Sequence, residues 1–312
     1  MRPKLIFIAP KYFNYHFLLI NEFKKIGFDV DFIEDRNSGI LFTLCSRYHV
    51  FLQMYNSMFE RKLLKRLNLV NYNLMVVIGG RRLSEHFCSQ LNLNYKFKKI
   101  LYQWDSLGNY NYSKLIPYFD VVKTFDFRDS FERNLEYLQL FYKNQQINVL
   151  KQDIDLLFVG IWHSDRIQIL EKFADTAEKN GLSYQFRVYC PWYIYFYLGL
   201  IKRRISPSMF LTFKKIPLNL TQNLYQRARA VIDISHPNQT GLTMRTIETI
   251  GNGKKLITTN KYISQELFYN EKMIQIFDRQ NPQIDIDFLS INDCYENINH
   301  LEISNWVKEL LR

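Results

Sequence analysis

The residues best equipped for chemistry lie between Ala230 and Asn260, AVIDISHPNQTGLTMRTIETIGNGKKLITTN. A buried strand carrying Asp233 runs into a loop with His236, Pro237, Gln239, Thr240, Gly241, Leu242 and Thr243. A helix bearing Arg245 and Glu248 follows, then a Gly251/Gly253 stop and another short strand. A loop that delivers backbone N–H groups at a helix N-terminus receives anions, and Arg245, one turn in, adds a fixed fork of donors. Glu248 is three residues further on the same helical face and could accept hydrogen bonds from vicinal hydroxyls such as those of a ribose. Together these groups suit a nucleotide diphosphate. An internal Arg–Glu pair on a solvated helix is the other use of the same spacing.

A second cluster, FVGIWHSDR at 158–166, ends a strand in glycine and continues with His163, Ser164, Asp165 and Arg166. His16 stands in the turn APKYFNYHF after the first apolar run; an imidazole near neutrality suits proton removal from a hydroxyl, and a helix-capping or packing role is open as well. Asp105 and Ser106 end the run ILYQW, where an Asp is also a common helix N-cap. Gly79-Gly80-Arg81-Arg82 has the look of a phosphate-cradling turn without the spacing of GxGxxG or a P-loop, and a tight turn beside two exposed cations reads equally well. No HExxH, GxSxG, Walker or EF-hand pattern occurs.

The elements that must position these residues follow from periodicity. Apolar runs of strand length occur at Leu5–Ala9, Val30–Ile33, Leu74–Ile78, Ile100–Tyr102 and Val121–Val122, with a helical stripe from Phe17 to Ile26 ended by Gly27. After a polar, aperiodic stretch at 144–153 the pattern restarts, with strands predicted at 156–160, 184–189, 230–234 and 255–258 and a helix over 167–180. Doubly buried strands separated by helices imply parallel sheets. The expected fold is therefore α/β, with a first Rossmann-like lobe at 1–150 and a second at 151–301. A C-terminal helix at about 302–312 should pack back on the first lobe. Two such lobes, their sheets facing a central cleft, would place ligands at the carboxyl ends of the strands.

The 312 residues carry 41 Lys and Arg against 30 Asp and Glu, a net charge of +11, with 25 Phe and 21 Tyr. This balance excludes disorder and fibrous classes, and points to anionic partners: nucleic acid, an anionic membrane face or phosphorylated molecules. Cys45, Cys88, Cys190 and Cys294 are too scattered for a zinc knuckle or a dithiol motif. No signal peptide or membrane span is expected, so the reading is cytoplasmic. The segment CPWYIYFYLGLIKRR, 190–204, joins aromatics to Lys202, Arg203 and Arg204. That is the pattern of a peripheral contact with an anionic membrane surface, or of a buried helix with a basic last turn.

The run GLTMRTIE followed by GNGKKLITTN, after the Asp233 strand, resembles the donor-binding segment of GT-B glycosyltransferases, nearest to the CgeB-like branch of the group 1 family of lipopolysaccharide and capsule biosynthesis. FVGIWHSDR, ILYQWDSLGNY and VVKTFDFRDS are similar to other strands and loops of that family. The resemblance implies a nucleotide-sugar donor in the second lobe and a glycan or lipid-linked acceptor in the first. It places Glu248 as the second acid of an E-x7-E motif, on the donor ribose, with Thr240 where the first acid would stand and Gly241 matching the glycine after it. It sets Arg166 on the diphosphate, with His163, Ser164, His236, Gln239, Leu242 and Thr243 lining the donor. It also implies His16 or Asp105 as a base or oxygen-contacting residue. The DxD pair of metal-dependent GT-A enzymes is missing, so no metal and no cofactor are expected, the diphosphate being neutralised by cations and helix dipoles. Retaining transfer is the favoured outcome, with a GT-B-like scaffold without catalysis, suggested by Thr240, and a basic nucleic-acid-binding protein as alternatives. No recognition motif for DNA or RNA is visible.

Overall fold

Aliphatic and β-branched residues form the centre of two parallel sheets in the computed structural model, which describes residues 2–11, 14–35, 49–144, 151–196, 208–237 and 239–312. The chain divides into two compact units: Met1–Leu140 with Ile303–Arg312, and Phe141–Glu302. The lobe boundary near residue 150 read from the sequence lies outside the described residues. The second unit begins earlier, at Phe141, where Tyr142 donates its backbone N–H to the carbonyl of Leu301 at 2.9 Å and forms a parallel bridge with Glu302.

In the first unit, β1 (Lys4–Ala9), β2 (Asp29–Glu34), β3 (Leu74–Ile78), β4 (Lys98–Gln103), β5 (Val121–Thr124) and β6 (Glu136–Tyr137) lie in the order β2-β1-β3-β4-β5-β6, every pair parallel. Helix α1 (Tyr15–Lys25) buries His16, Leu19 and Phe23, one face at i, i+3 and i+7, with Phe23 edge-on to Phe7 at 5.2 Å. Helix α2 (His49–Leu69) buries Phe59, Leu63 and Leu67, one face at i, i+4 and i+8. Helix α3 (Glu85–Asn94) starts at Ser84, whose hydroxyl accepts from Phe87 N–H, and α4 (Phe127–Arg133) at Asp126, which accepts from the N–H groups of Arg128 and Asp129.

The second unit holds β7 (Ile154–Ile161), α5 (Arg166–Lys179), β8 (Tyr184–Tyr189), α6 (Trp192–Phe196), β9 (Leu211–Thr212), α7 (Leu218–Arg227), β10 (Ala228–Asp233), α8 (Met244–Gly251), β11 (Lys255–Thr258), β12 (Ile274–Ile276) and α9 (Ile286–Ser290). Its sheet runs β12-β11-β10-β7-β8-β9, all parallel, so the first and fourth strands of the unit are neighbours. From β7 the chain winds one way and from β10 the other. That reversal leaves a crevice outside the strands' carboxyl ends, the place where open α/β sheets bind ligands. The core of this unit gathers Leu156, Phe158, Leu170, Phe173, Val188, Ile232 and Ile257, all 0% exposed.

The last helix, α10 (Ile303–Leu311), belongs to the first unit. Trp306 is fully buried, edge-on to Tyr102 at 5.0 Å, and its indole N–H donates to Gln139 O at 2.6 Å. Lys123 donates to Glu309 O at 2.8 Å, and Lys98 to the carbonyls of Leu311 and Arg312 at 3.0 and 2.7 Å, so two lysines cap the negative end of this helix.

Candidate functional site

The reversal point of the second unit is where charged side chains converge. Asp233, the last residue of β10, is fully buried. Its Oδ1 accepts from Arg245 Nη1 at 2.8 Å, and its Oδ2 from the hydroxyls of Thr243 and Thr246 at 2.8 and 2.6 Å. Thr243 is also the N-cap of α8, accepting from Thr246 N–H at 3.1 Å. One buried carboxylate therefore fixes both the start of α8 and Arg245 in its first turn. Arg245 spends its Nε on Val159 O at 3.0 Å and lies 4.7 Å over the Phe158 ring. Burial alone would lower its pKa, but Asp233 and the other acids around it outweigh that and raise it. Gly160 makes room for this guanidinium, since a Cβ there would come within 2.5 Å of Nη2.

Arg166, the first residue of α5, is 6% exposed and donates to Ile161 O at 2.6 Å and to Ile234 O through Nε and Nη2 at 2.9 and 2.6 Å. It thus ties the loop after β7 to the end of β10. Burial first, then the neighbouring Arg245, push its pKa down to about 9. His163 is half-buried beside it, its Nδ1 2.9 Å from Ser164 Oγ and its ring 5.6 Å from that of His236. Burial and then the charges of Arg166, His236, Arg245 and Arg279 press its pKa down to about 3. The loop between β10 and α8 is braced from within: Gln239 Nε2 donates to Gly241 O at 2.9 Å, and Asn260 Nδ2 to the carbonyls of Thr240 and Gly241 at 3.0 and 3.2 Å. Thr240 and Leu242 are buried, and Glu248 is half-buried on α8. The structure thus brings His163, Arg166, His236, Thr243 and Arg245 to one place. Arg245 is engaged by Asp233, a residue the sequence marked only as part of a strand.

In the first unit, His16 sits in the first turn of α1, 3% exposed, its ring 5.1 Å from Phe32 and 4.0 Å from Phe17. Neither ring nitrogen has a hydrogen-bond partner, and burial followed by Lys11 lowers its pKa. Asp105 follows β4 and accepts from Arg81 Nη2 at 2.7 Å. No helix starts there: the turn continues, Ser106 donates to Asp126 at 2.6 Å and Leu107 N–H to Asp129 at 2.7 Å, so an N-cap is not what Asp105 provides. The Gly79-Gly80-Arg81-Arg82 turn already holds an anion of its own. Gly79 and Gly80 have φ of 84° and 73°, which aims the N–H groups of Arg81 and Arg82 at the buried Asp35 carboxylate, 3.0 and 3.3 Å away. Burial raises the Asp35 pKa to about 6 against these bonds.

Several cations that read as surface charge in the sequence are otherwise engaged. Arg82 is 9% exposed between the Tyr55 and Phe59 rings, Lys99 is buried with its ammonium on Phe97 O, and Lys98 caps α10. Their long stems let the apolar part be buried while the head reaches a carbonyl or an aromatic face. Arg61, Lys62 and Lys65 on α2 remain exposed.

No family model and none of the curated proteins matches this sequence. Solved structures do. UDP-GlcNAc 2-epimerase from Methanocaldococcus jannaschii, solved with UDP-GlcNAc and UDP, aligns with 99% of this chain and 99% of its own at a TM-score of 0.58 and 11% identity. Sucrose-phosphate synthase from Thermosynechococcus elongatus aligns with 99% of this chain and 90% of its own at 0.56 and 12%. The fold is GT-B. The polar cluster of this GT-B chain stands at the strand-order reversal of its second unit.

Two residues of the GT-B chain escaped the sequence. Arg279, after β12, makes a bidentate pair with Asp165, Nε to Oδ2 at 2.8 Å and Nη2 to Oδ1 at 3.0 Å, and donates from Nη2 to Ser235 O at 2.9 Å. It clamps the loops that carry His163 and His236, yet it lies far downstream in FDRQNPQ, with no motif to mark it. Asp35 ends the DVDFIED run, where an acid just past a predicted strand was the available signal. Among the described residues, no three His, Cys, Asp or Glu side chains come together as a metal site requires, and no helix is long and apolar enough to cross a membrane.

Proposed function

We propose that this chain is a glycosyltransferase that takes a nucleotide-sugar donor in its second unit and passes the sugar to a glycan or lipid-linked acceptor held by the first. The observation that carries the reading is the convergence of Arg166, Arg245, His163 and His236 at the β7/β10 reversal point. Three features fit a diphosphate there: guanidiniums held in fixed orientation, the N-terminus of the eight-residue α8, and a loop braced by Asn260. The M. jannaschii epimerase, of the same fold, was solved with UDP-GlcNAc and UDP, a ligand class in keeping with this reading. Glu248, on α8 beyond Arg245, takes the ribose hydroxyls, and Gln239, Thr240, Gly241, Leu242 and Thr243 line the donor. Charge neutralisation by arginines and helix N-termini makes the transfer metal-independent.

Retention is the favoured stereochemistry. Asp105 is tied to Arg81 and His16 is buried against the Phe17 and Phe32 rings, so neither is presented as a free, accessible base. The donor's own phosphate then removes the acceptor proton on the same face. The exposed Trp192, Tyr193 and Phe196 of α6, 69%, 59% and 55% accessible, support a peripheral contact with an anionic membrane surface, as does the exposed basic run on α2. Lys202, Arg203 and Arg204 lie outside the described residues. Such a surface matches work on lipid-linked glycans of the lipopolysaccharide or capsule type at the inner face of the cytoplasmic membrane.

Titration calorimetry with UDP, GDP, CMP and dTDP tests the reading. Binding of one of them, weakened at least tenfold in Glu248→Ala, is expected; no binding to any, or unchanged binding in that variant, refutes it. Proton NMR of the product anomer then separates retention from inversion.

A further inference from the structure

We propose that the β7/β10 cluster takes up a proton together with its anionic ligand, His163 being the group that receives it and Arg279 the residue that positions the two loops involved. The inference rests on the reading of this cluster as the donor's diphosphate site and adds a mode of regulation to it.

The groups that face His163 come from every element around it. Arg166 and Asp165 stand at the start of α5, Asp233 ends β10, His236 is in the loop after it, Arg245 is on α8 and Arg279 follows β12. Three guanidiniums stand against two carboxylates, Asp233 and Asp165, both already paired at 2.8 Å, so one net positive charge remains before either histidine protonates. In that field burial and the surrounding cations hold His163 neutral, its Nδ1 2.9 Å from Ser164 Oγ. A neutral imidazole between a guanidinium and a second imidazole ring 5.6 Å away is a poor anion receptor on its own. A phosphate oxygen reverses the sign of the local field. A unit negative charge at about 4 Å, in the effective dielectric of a protein surface, raises the pH at which such a group protonates by about three, and a diphosphate brings two charges. From a starting value of about 3, that brings the protonation of His163 up toward neutrality. The protonated ring then donates from both nitrogens, one to Ser164 and one to the ligand. Because Arg279 holds Asp165 and Ser235 O at once, it fixes the separation of the loops that bear the two rings.

The linkage is measurable. Where one proton enters with the ligand, affinity falls by up to about tenfold per pH unit as pH rises between the points at which His163 protonates in the free chain and in the complex. The histidine ring protons of the full chain are followed by NMR from pH 5 to 8 in sodium chloride, in sodium sulfate at matched ionic strength, and with UDP-glucose, GDP-mannose and dTDP-glucose. Neither sulfate nor these diphosphate diesters titrate in that range. His163→Gln assigns the signal, and calorimetry of the unaltered protein in two buffers of different ionisation enthalpy counts the protons independently of any variant. The expected result is a His163 signal that titrates only with sulfate or nucleotide-sugar present, proton uptake at pH 6, and loss of the pH dependence in His163→Gln. Arg279→Lys, which keeps the charge but not the bidentate clamp, should weaken sulfate and nucleotide-sugar alike and reduce the uptake. A nucleotide-sugar that binds without proton uptake overturns the inference and leaves the donor reading standing. Sulfate that moves His163 while no nucleotide-sugar binds supports the proton coupling and overturns the donor reading. Binding by none of the ligands overturns both.

Discussion

Replacing Asp233 by Asn keeps the shape of the buried side chain and removes the charge that Arg245 faces. In the folded protein Asp233 is fully buried and Arg245 nearly so, with an ion pair of 2.8 Å and two threonine hydroxyls on the other carboxylate oxygen. Removing one partner of a buried pair leaves the other charge uncompensated, at a cost of about 3–5 kcal/mol. For a unit of this size, 1 kcal/mol corresponds to ~2–4 °C, so the second unit of Asp233→Asn should melt ~6–20 °C lower in scanning calorimetry. Arg245→Met alone should cost a similar amount, because Asp233 is then the stranded charge. The double variant should cost much less than the sum, since neither charge remains without its counterpart. If the two losses add within about 0.5 kcal/mol, Asp233 and Arg245 do not act as a unit, and the claim that this carboxylate sets up the anion site is wrong.

Gly160→Ala should displace the Arg245 guanidinium, whose Nη2 would lie 2.5 Å from the new Cβ, and lower nucleotide affinity in calorimetry with a stability loss of about 1–3 kcal/mol. Gly251→Ala improves helix propensity by about 1 kcal/mol, yet its Cβ would clash with the Tyr142 ring at Cγ, so urea unfolding should show net destabilisation of the second unit. Asp35 has a folded pKa of about 6, above its unfolded value of 3.8, so the native state holds the proton more tightly and stability is lost as pH rises from about 4 to 6. Relative to Asp35→Asn, the wild type should therefore lose on the order of 3 kcal/mol of first-unit stability across that window; a gap that is flat with pH refutes the assignment. Trp306→Ala should cost about 3–5 kcal/mol in the first unit and leave the second unit's transition in place.

The strands that sequence periodicity found include the central ones buried on both faces, and also β2 and β8, which are only half-buried. β3 is buried at every position and β1 from Leu5 to Ala9, so their apolar runs are unbroken. β6, β9 and β12 are two or three residues long at or near sheet edges, too short to carry a pattern. α2 went unread because its long stripe is diluted by exposed Phe51, Met54 and Met58. Within the site, the GLTMRTIE helix and the HSDR loop announced themselves because strand, loop and helix start are consecutive in sequence. Partners from distant segments did not: Arg279 reaches Asp165 across 114 positions, and Asp35 meets Arg81 across 46. The glycine-rich turn at 79–82 was legible as an anion cradle, but its occupant is a side chain of the protein.

Helix α10 gives the first unit a late-arriving part. Trp306 and the carbonyls that receive Lys98 and Lys123 all lie downstream of the second unit in the chain. During synthesis, which runs at about 5–20 residues per second, the first 140 residues emerge well before the helix that covers Tyr102. The second unit is continuous and can finish as soon as Glu302 clears the ribosome. Completion thus runs against the usual N-to-C direction. A released chain truncated after Glu302 would expose a protease-sensitive first unit beside a resistant second one.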